Sequence, residues 1–169
     1  MANLAHMLAP VRGQGYELDY GAFRTWLTRG RQHVSLRVYT GLPVDKREIR
    51  AFLRRLQLFG FEIVHLRGKT YKDGSVKRPN ADTAMITDLV REAPTYDEAV
   101  LVSGDGDFEY PVRALLAMGK RVQVVSTREH LARDLRESGA DITFLDKELP
   151  RLLMGRRRGL DAESRTPGS

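Results

Sequence analysis

The stretch Ala99-Val100-Leu101-Val102-Ser103-Gly104-Asp105-Gly106-Asp107-Phe108 decides the fold. Its first four residues are apolar throughout, which is typical of a strand covered on both faces of a parallel sheet. This strand leads directly into two carboxylates separated by one glycine. Ligands of open α/β sheets bind at the carboxyl ends of the strands, where glycines let a cation or phosphate approach the backbone. The stretch therefore predicts an α/β fold with a candidate site at a strand end.

Strand and helix patterns alternate on both sides of this stretch. Besides the strand at 99–102, short apolar runs predict strands at 34–39, 61–66, 122–125 and 142–145. Apolar residues at helical spacing predict helices between Asp45 and Gly60 and at 82–93, 107–118 and 129–138. Alternating strands and crossover helices indicate the α/β class with a mainly parallel sheet.

Residues 67–79 form a basic segment around Asp73-Gly74, a turn pair flanked by residues that suit a short β-hairpin. We expect a flap that contacts the backbone of single-stranded RNA, with an aromatic ring available for base stacking. The candidate RNA-binding residues are Lys69, Tyr71, Lys72, Lys77 and Arg78. The alternative is a solvated surface loop without a binding role.

The overall composition limits the classes of function that the chain can have. The 169 residues, 41% of them hydrophobic, suffice for one substantial core. The sequence contains no cysteine, which excludes disulfides, thiolate zinc sites and a cysteine nucleophile. A net charge of +6 favours a polyanionic partner, although an arginine-rich surface is the plainer explanation. No run approaches the roughly 18 apolar residues of a membrane span, so we expect no membrane association and a cytoplasmic location.

Asp105 and Asp107 suggest a metal site, because two adjacent carboxylates repel each other and a hard divalent cation relieves that repulsion. Magnesium or manganese is the expected ion. The alternative is that Asp107 caps the following helix while Asp105 shapes the turn. Asp82, two residues after Asn80 at a predicted helix start, is a third candidate carboxylate. Asp88 lies about 120° around that helix, which favours a supporting role.

Other site patterns fit less well. A calcium loop that starts at Asp105 needs glycine and glutamate where the sequence has Tyr110 and Leu116. The glycine spacings of phosphate-binding and dinucleotide-binding loops do not occur, nor does a serine hydrolase elbow. The motif of haloacid dehalogenase-type phosphatases has Thr or Val at the position that Glu109 occupies in this sequence.

The Ser103–Phe108 element, followed by Gly119-Lys120-Arg121-Val122 before the next strand, resembles the NYN domain of LabA-like proteins. This resemblance covers about residues 1–146 and implies a PIN-like, Rossmann-like three-layer sandwich. It implies a magnesium- or manganese-dependent ribonuclease in which Asp82, Asp105 and Asp107 are catalytic metal ligands. The supporting residues are Asn3, Ser103 and Asp88. Residues 147–169 are expected to form a short helix and then a basic, disordered tail.

The start of the chain departs from the family pattern. The family opens with a central strand that ends in aspartate, and Asn3-Leu4 match only the end of that motif. The first strand and first acidic ligand are therefore expected to be missing, which would leave both neighbouring strands without a partner. We expect the native start codon upstream of Met1, where the preceding nucleotides provide the test.

Two further functions fit the sequence. A non-catalytic module would keep the fold and basic surface to bind RNA or a protein. A phosphatase would act on small phosphoesters. The sequence does not decide the oligomeric state, and a homo-oligomer stays open.

Overall fold

The computed structural model describes residues 2–41, 46–70, 76–77 and 79–155. Its strands are β1 (Tyr16–Leu18), β2 (Arg37–Thr40), β3 (Glu62–His65), β4 (Lys69–Thr70), β5 (Val76–Lys77), β6 (Glu98–Val102), β7 (Arg121–Ser126), β8 (Asp141–Phe144) and β9 (Leu153–Gly155). Its helices are α1 (Ala2–Met7), α2 (Ala9–Gly13), α3 (Tyr20–Thr28), α4 (Arg47–Leu58), α5 (Ala81–Arg91), α6 (Glu109–Ala117), α7 (Arg133–Arg136) and α8 (Leu149–Leu152).

The principal sheets are parallel, as the sequence predicts. β2 pairs with β3, and β6, β7 and β8 pair in that order with every neighbouring pair parallel. Each of the five predicted strands is present, although the first begins at Arg37 rather than Val34. Helices on both sides cover these sheets. The predicted α/β class is therefore confirmed.

The three-stranded sheet carries a tightly packed core. Phe108, Val112 and Leu115 of the segment after β6 are completely buried against Val124 of β7 and Leu135 of α7. Burial of each such side chain contributes roughly 1.5–3 kcal/mol. The packing of these side chains therefore fixes the segment that bears the candidate carboxylates.

A second core lies under β2 and β3. Asp19 caps the amino end of α3, and its carboxylate accepts hydrogen bonds from the amides of Gly21 and Ala22 at 2.9 and 3.0 Å. The helix buries Phe23 and Leu27. This helix was not predicted from the sequence.

A cavity of about 820 Å³ separates the two parallel sheets. β2 and β6 line it, and neither strand has a partner on the cavity side among the described residues. Phe23 of α3 and Leu56 of α4 line one face, whereas Met85 and Leu89 of α5 line the other. The sheet is therefore divided into two halves that share helices but no hydrogen-bonded ladder.

α5 is tied to β2 by polar contacts. The Arg37 guanidinium binds Glu92, just after α5, at 2.6 Å, and the Tyr39 hydroxyl donates to Asp88 at 3.0 Å. Arg37, at the start of β2, thus contacts the end of α5, whereas Tyr39, farther along β2, contacts an earlier turn of the helix. The strand and the helix therefore run antiparallel. The bond to Arg37 lowers the pKa of Glu92.

The segment after residue 146 continues into the same body. α8 supplies the short helix that the sequence predicts there, and its Leu152 is buried in the core that holds Leu8. β9 then pairs antiparallel with β1. The domain boundary at 146 stays a prediction, and the expected basic tail at 156–169 lies outside the described residues.

Two predicted helices differ in extent from the structure. The helix expected at 129–138 is limited to Arg133–Arg136, because the amide of Ala132 donates to the carbonyl of Gly104 at 2.8 Å and needs an extended backbone. The helix expected at 107–118 begins as a 3-10 turn at Gly106–Phe108 before α6. The basic segment does contain an antiparallel pair, β4 with β5, although Asp73-Gly74 lies outside the described residues.

Across the described ranges, none of the helices combines the length and hydrophobicity that crossing a bilayer requires.

Candidate active site

The loop after β6 is fixed by its own short hydrogen bonds. The amide of Asp105 donates to the hydroxyl of fully buried Ser103 at 3.2 Å. The carboxylate of Asp105 accepts from the amide of Asp107 at 3.0 Å and so caps the 3-10 turn. The capping alternative thus applies to Asp105, with the roles of the two aspartates exchanged, and the carboxylate of Asp107 is exposed.

Gly104 locks this loop against the loop that follows β7. A β-carbon at Gly104 would lie 2.5 Å from the hydroxyl of Ser126 and would collide with the carbonyl oxygen of His130. The carbonyl of Gly104 also accepts from the amide of Ala132 at 2.8 Å. Only glycine allows this approach, so the position of the carboxylate loop depends on it.

Asp82 enters the site from the first turn of α5. The helix is capped by Asn80, whose side-chain oxygen accepts from the amides of Asp82 and Thr83 at 3.0 and 3.3 Å. Because Asn80 fills the capping role, the carboxylate of Asp82 is not needed for it. Asp82 is half-buried and receives no hydrogen bond to its carboxylate from another described residue.

The carboxylates of Asp105 and Asp107 lie near enough to Asp82 to affect its pKa. Burial raises the pKa of Asp82, and the negative charges of Asp105 and Asp107 raise it further. Two separate chain segments therefore bring three acidic groups to the carboxyl edge of β6. Their mutual repulsion is the unfavourable feature that a cation would relieve.

These donors suit a hard divalent cation, because all three are carboxylate oxygens and the sequence contains no cysteine. Residues 2–41, 46–70, 76–77 and 79–155 contain no group of three or more acidic or histidine side chains already arranged around a common ion position. The proposed fit of the site to a cation therefore rests on the chemistry of the three carboxylates and on the effect of Asp105 and Asp107 on the pKa of Asp82. Rotation of side chains would be required to bring the oxygens onto one ion.

The predicted supporting residues lie in different places. The hydroxyl of Ser103 accepts a hydrogen bond from the backbone amide of Asp105, which helps to position the loop. Asp88 points to β2, where it accepts from Tyr39, and it also pairs with Arg91 at 2.6 Å. Asn3 belongs to α1, but its side chain lies outside the described part of the chain.

The basic segment is described only in part. Lys69 and Lys77 lie opposite each other in the β4–β5 pair. Tyr71, Lys72 and Arg78 fall outside the described residues. Lys77 precedes Asp82 by five positions, so the chain between them spans at most about 18 Å. The paired strands thus lie close in the chain to the carboxylate site.

Three residues near the carboxyl edge of the sheet were given no role in the site on the basis of the sequence. Asn80 carries a recognisable signal, since Asn before Ala-Asp-Thr is a common helix start. Arg128 follows the carboxyl end of β7, with its amide bound to Asp146 at 2.8 Å and its guanidinium 4.5 Å from the centre of the Phe144 ring. The Nδ1 atom of His130 is hydrogen-bonded to the hydroxyl of Thr127 at 2.7 Å. The last two depend on tertiary contacts that no local pattern predicts.

Comparisons with known proteins agree with the motif. A family model described as NYN domain matches residues 1–146. The chain is 36% identical over 105 residues to the low amplitude and bright protein LabA of Synechococcus elongatus, an alignment that covers 59% of this chain and 56% of that protein. The chain thus spans little more than half the length of this relative. A crystal structure of a protein of unknown function from Vibrio parahaemolyticus has a TM-score of 0.70 at 27% identity, and covers 82% of this chain and 83% of that one.

Proposed function

The chain belongs to the NYN domain family, and we propose that it hydrolyses phosphodiester bonds in single-stranded RNA with Mg²⁺ or Mn²⁺ as cofactor. Membership in this family supports a nuclease-type or RNA-related function at the coarser level. The finer proposal depends on one observation, the raised pKa of Asp82 beside Asp105 and Asp107. Groups from separate elements that repel one another at a strand end are typical of a functional site.

Asp82, Asp105 and Asp107 would hold the ion. A bound divalent cation supplies an activated water and offsets the charge that develops on the scissile phosphate. The three aspartates need not transfer protons. The hydrogen bonds from Asp105 to Ser103 and from Asp107 to Asp105 limit the motion of this loop before any ligand binds.

RNA binding is assigned to the basic segment beside the site. Lys69 and Lys77 would neutralise phosphates, together with Tyr71, Lys72 and Arg78, which the sequence places in the same segment. Arg128 adds a cation on the loop after β7, at the carboxyl edge of the sheet. Affinity that depends on such contacts should fall steeply as salt is added.

Cleavage of a labelled single-stranded RNA with Mn²⁺ tests the proposal. Asp105→Asn and Asp107→Asn should each reduce the cleavage rate by about 100-fold while RNA binding is retained. Asp141→Asn is the matched control, because Asp141 is exposed at the amino end of β8, on the opposite edge of the sheet. Its cleavage rate should equal that of the unsubstituted protein.

The second candidate is a non-catalytic RNA- or protein-binding module. It is favoured by the absence, across the described residues, of three acidic or histidine groups already set around one ion position. RNA binding without cleavage by any version of the protein would support the module and contradict the nuclease. Turnover of a generic phosphomonoester that RNA does not inhibit would instead indicate a phosphatase. The cytoplasmic location stays a prediction.

A further inference from the structure

The outer face of α4 carries a row of arginines. Arg47, Arg50 and Arg54 occupy positions i, i+3 and i+7 of the helix, so they share one face and extend over about 10 Å. All three residues are exposed, whereas the helix buries Leu53 and Leu56 in the core. The row of guanidinium groups is therefore presented to solvent, where a ligand can reach it.

The positive charge of this face exceeds the negative charge around it. α4 and the residue before it contain five basic residues and a single acidic one. Among the described residues, no carboxylate forms an ion pair with Arg47 or Arg54. By contrast, Arg31 and Arg91 each bind a carboxylate at 2.6 Å. A local excess of positive charge on an exposed helix attracts polyanions.

A shallow groove of about 370 Å³ lies between this helix and β3. Arg50 and Arg54 line it from α4, and His65 lines it from the carboxyl end of β3. Ile63 contributes an apolar surface to the same groove. Guanidinium groups on one wall and an imidazole on the other provide hydrogen-bond donors that suit phosphate oxygens.

The groove is connected to the carboxylate site through β2. His65 is paired with Thr40 in the parallel register of β2 and β3. The next residue, Gly41, packs so closely against Pro79 that an added β-carbon would lie 2.6 Å from the proline ring. Asp82 follows Pro79 by three positions. These steps together amount to less than about 30 Å, so one extended strand of RNA could reach both places.

We propose that the groove between α4 and β3 binds phosphates of the RNA strand that flank the position at the carboxylates, with Arg50 and Arg54 as the contacts. This inference rests on the proposed function, because it extends the path of the same strand. Phosphate contacts position a nucleic acid without reading its sequence. The groove therefore increases the affinity for long RNA over short RNA and adds no sequence preference.

The test measures binding of single-stranded RNA by fluorescence anisotropy, with EDTA present so that no RNA is cleaved. The full chain and its double variant Arg50→Ala and Arg54→Ala are compared on RNA of about 4 and about 16 nucleotides. On the long RNA, the variant should lose about 10-fold or more in affinity near 0.1 M salt, and its slope of log K against log salt should be shallower by about 1.4. On the short RNA, the affinity should not change.

Two control variants separate a phosphate contact from a structural role. Arg50→Lys with Arg54→Lys keeps both charges and should retain the salt slope. Arg29→Ala with Arg121→Ala removes two charges from the amino edge of the sheets, where Arg121 begins β7 and Arg29 lies two residues before the partner of Glu98. Both of these arginines are exposed. This second control should bind both RNAs as the unsubstituted protein does.

The outcomes distinguish the groove from the nuclease proposal. An unchanged salt slope in the alanine variant, an equal loss on the two RNAs, or an equal loss in the amino-edge control would overturn the groove. Cleavage with Mn²⁺ beside an unchanged slope would contradict the groove alone. A shallower slope without cleavage by the unsubstituted protein would support the groove and contradict the nuclease. No RNA binding by the unsubstituted protein would contradict both.

Discussion

The two halves of the molecule on either side of the cavity are held to different degrees. β7 lies between β6 and β8, and its Val124 is completely buried, whereas β2 has a strand on one side only in the described structure. α6 buries Val112 and Leu115 completely, but no residue of α5 is fully buried. α6 is thus held by a fully buried apolar face, whereas α5 packs only partly buried apolar residues against the same core and is tied to β2 by polar contacts.

The candidate site draws on both halves. Asp105 and Asp107 belong to the loop of the well-packed sheet, and Asp82 belongs to α5, which Arg37 and Tyr39 tie to the other sheet. The distances among the three carboxylates therefore depend on how the halves are held together. The first half thus positions two of the proposed cation ligands, and α5 positions the third.

Gly104→Ala should produce the largest effect, because it acts inside the well-packed half. The new β-carbon would collide with the carbonyl of His130 and would lie 2.5 Å from the hydroxyl of Ser126. The carbonyl group of His130 belongs to the backbone and cannot move without displacing the loop after β7. The free energy of unfolding should fall by about 3 kcal/mol or more, measured by urea denaturation.

The control is Gly106→Ala, two residues later in the same loop. Its β-carbon would meet only the methyl group of Ala132 at 3.4 Å, an ordinary contact distance. This substitution should change stability by less than about 1 kcal/mol. Equal losses for the two variants would show that the loop is not specially constrained at Gly104, and the contrast between the halves would weaken.

Tyr39→Phe tests the polar ties of the other half and should have a smaller effect. It removes the hydroxyl that donates to Asp88 at 3.0 Å while the ring stays buried. The free energy of unfolding should fall by about 1 kcal/mol. Amides in α5 should exchange faster, whereas those in α6 should not change.

Tyr110→Phe serves as its control, because the side chain of Tyr110 is 80% exposed. It should leave both stability and amide exchange unchanged. Uniform acceleration of exchange in α5 and α6 by Tyr39→Phe would indicate one cooperative body and would contradict the distinction between the halves.

Asp82→Asn should have the smallest effect on stability. Because the pKa of Asp82 is raised in the folded protein, the folded state holds more protons than the unfolded state between the two pKa values. Stability therefore falls as the pH rises through this range. At neutral pH the variant should be slightly more stable than the unsubstituted protein, and the difference should vanish below the ordinary aspartate pKa of about 3.9.

Thermal unfolding measured from acid to neutral pH checks this expectation. Asp141→Asn provides the matched control at an exposed aspartate. A variant at Asp82 that is less stable at neutral pH would mean that its carboxylate has a stabilising partner, which contradicts the electrostatic description of the site.

The sequence predicts much of the fold because strands buried on both faces leave a plain pattern. The apolar run Ala99–Val102 and the carboxylates after it locate both the strand and the sheet edge. α3 could also have been found, since Asp19 precedes Phe23 and Leu27 at helical spacing.

Other features could not be predicted because they arise from contacts distant in sequence. The helix after β7 begins only at Arg133 because the amide of Ala132 bonds to the carbonyl of Gly104, a partner that no local pattern identifies. The attachment of Asp88 to Tyr39 likewise depends on how α5 packs over β2. The assignment of Asp82, Asp105 and Asp107 as cation ligands stays a prediction.

The most direct test of the shared cation site is the pKa of Asp82, measured by NMR titration of its carboxyl carbon with and without Mg²⁺. We predict that Mg²⁺ lowers this pKa in the unsubstituted protein, because the cation stabilises the charged form. The double variant Asp105→Asn and Asp107→Asn should show no such response. A pKa of Asp82 that is the same with and without Mg²⁺ in the unsubstituted protein would contradict the account.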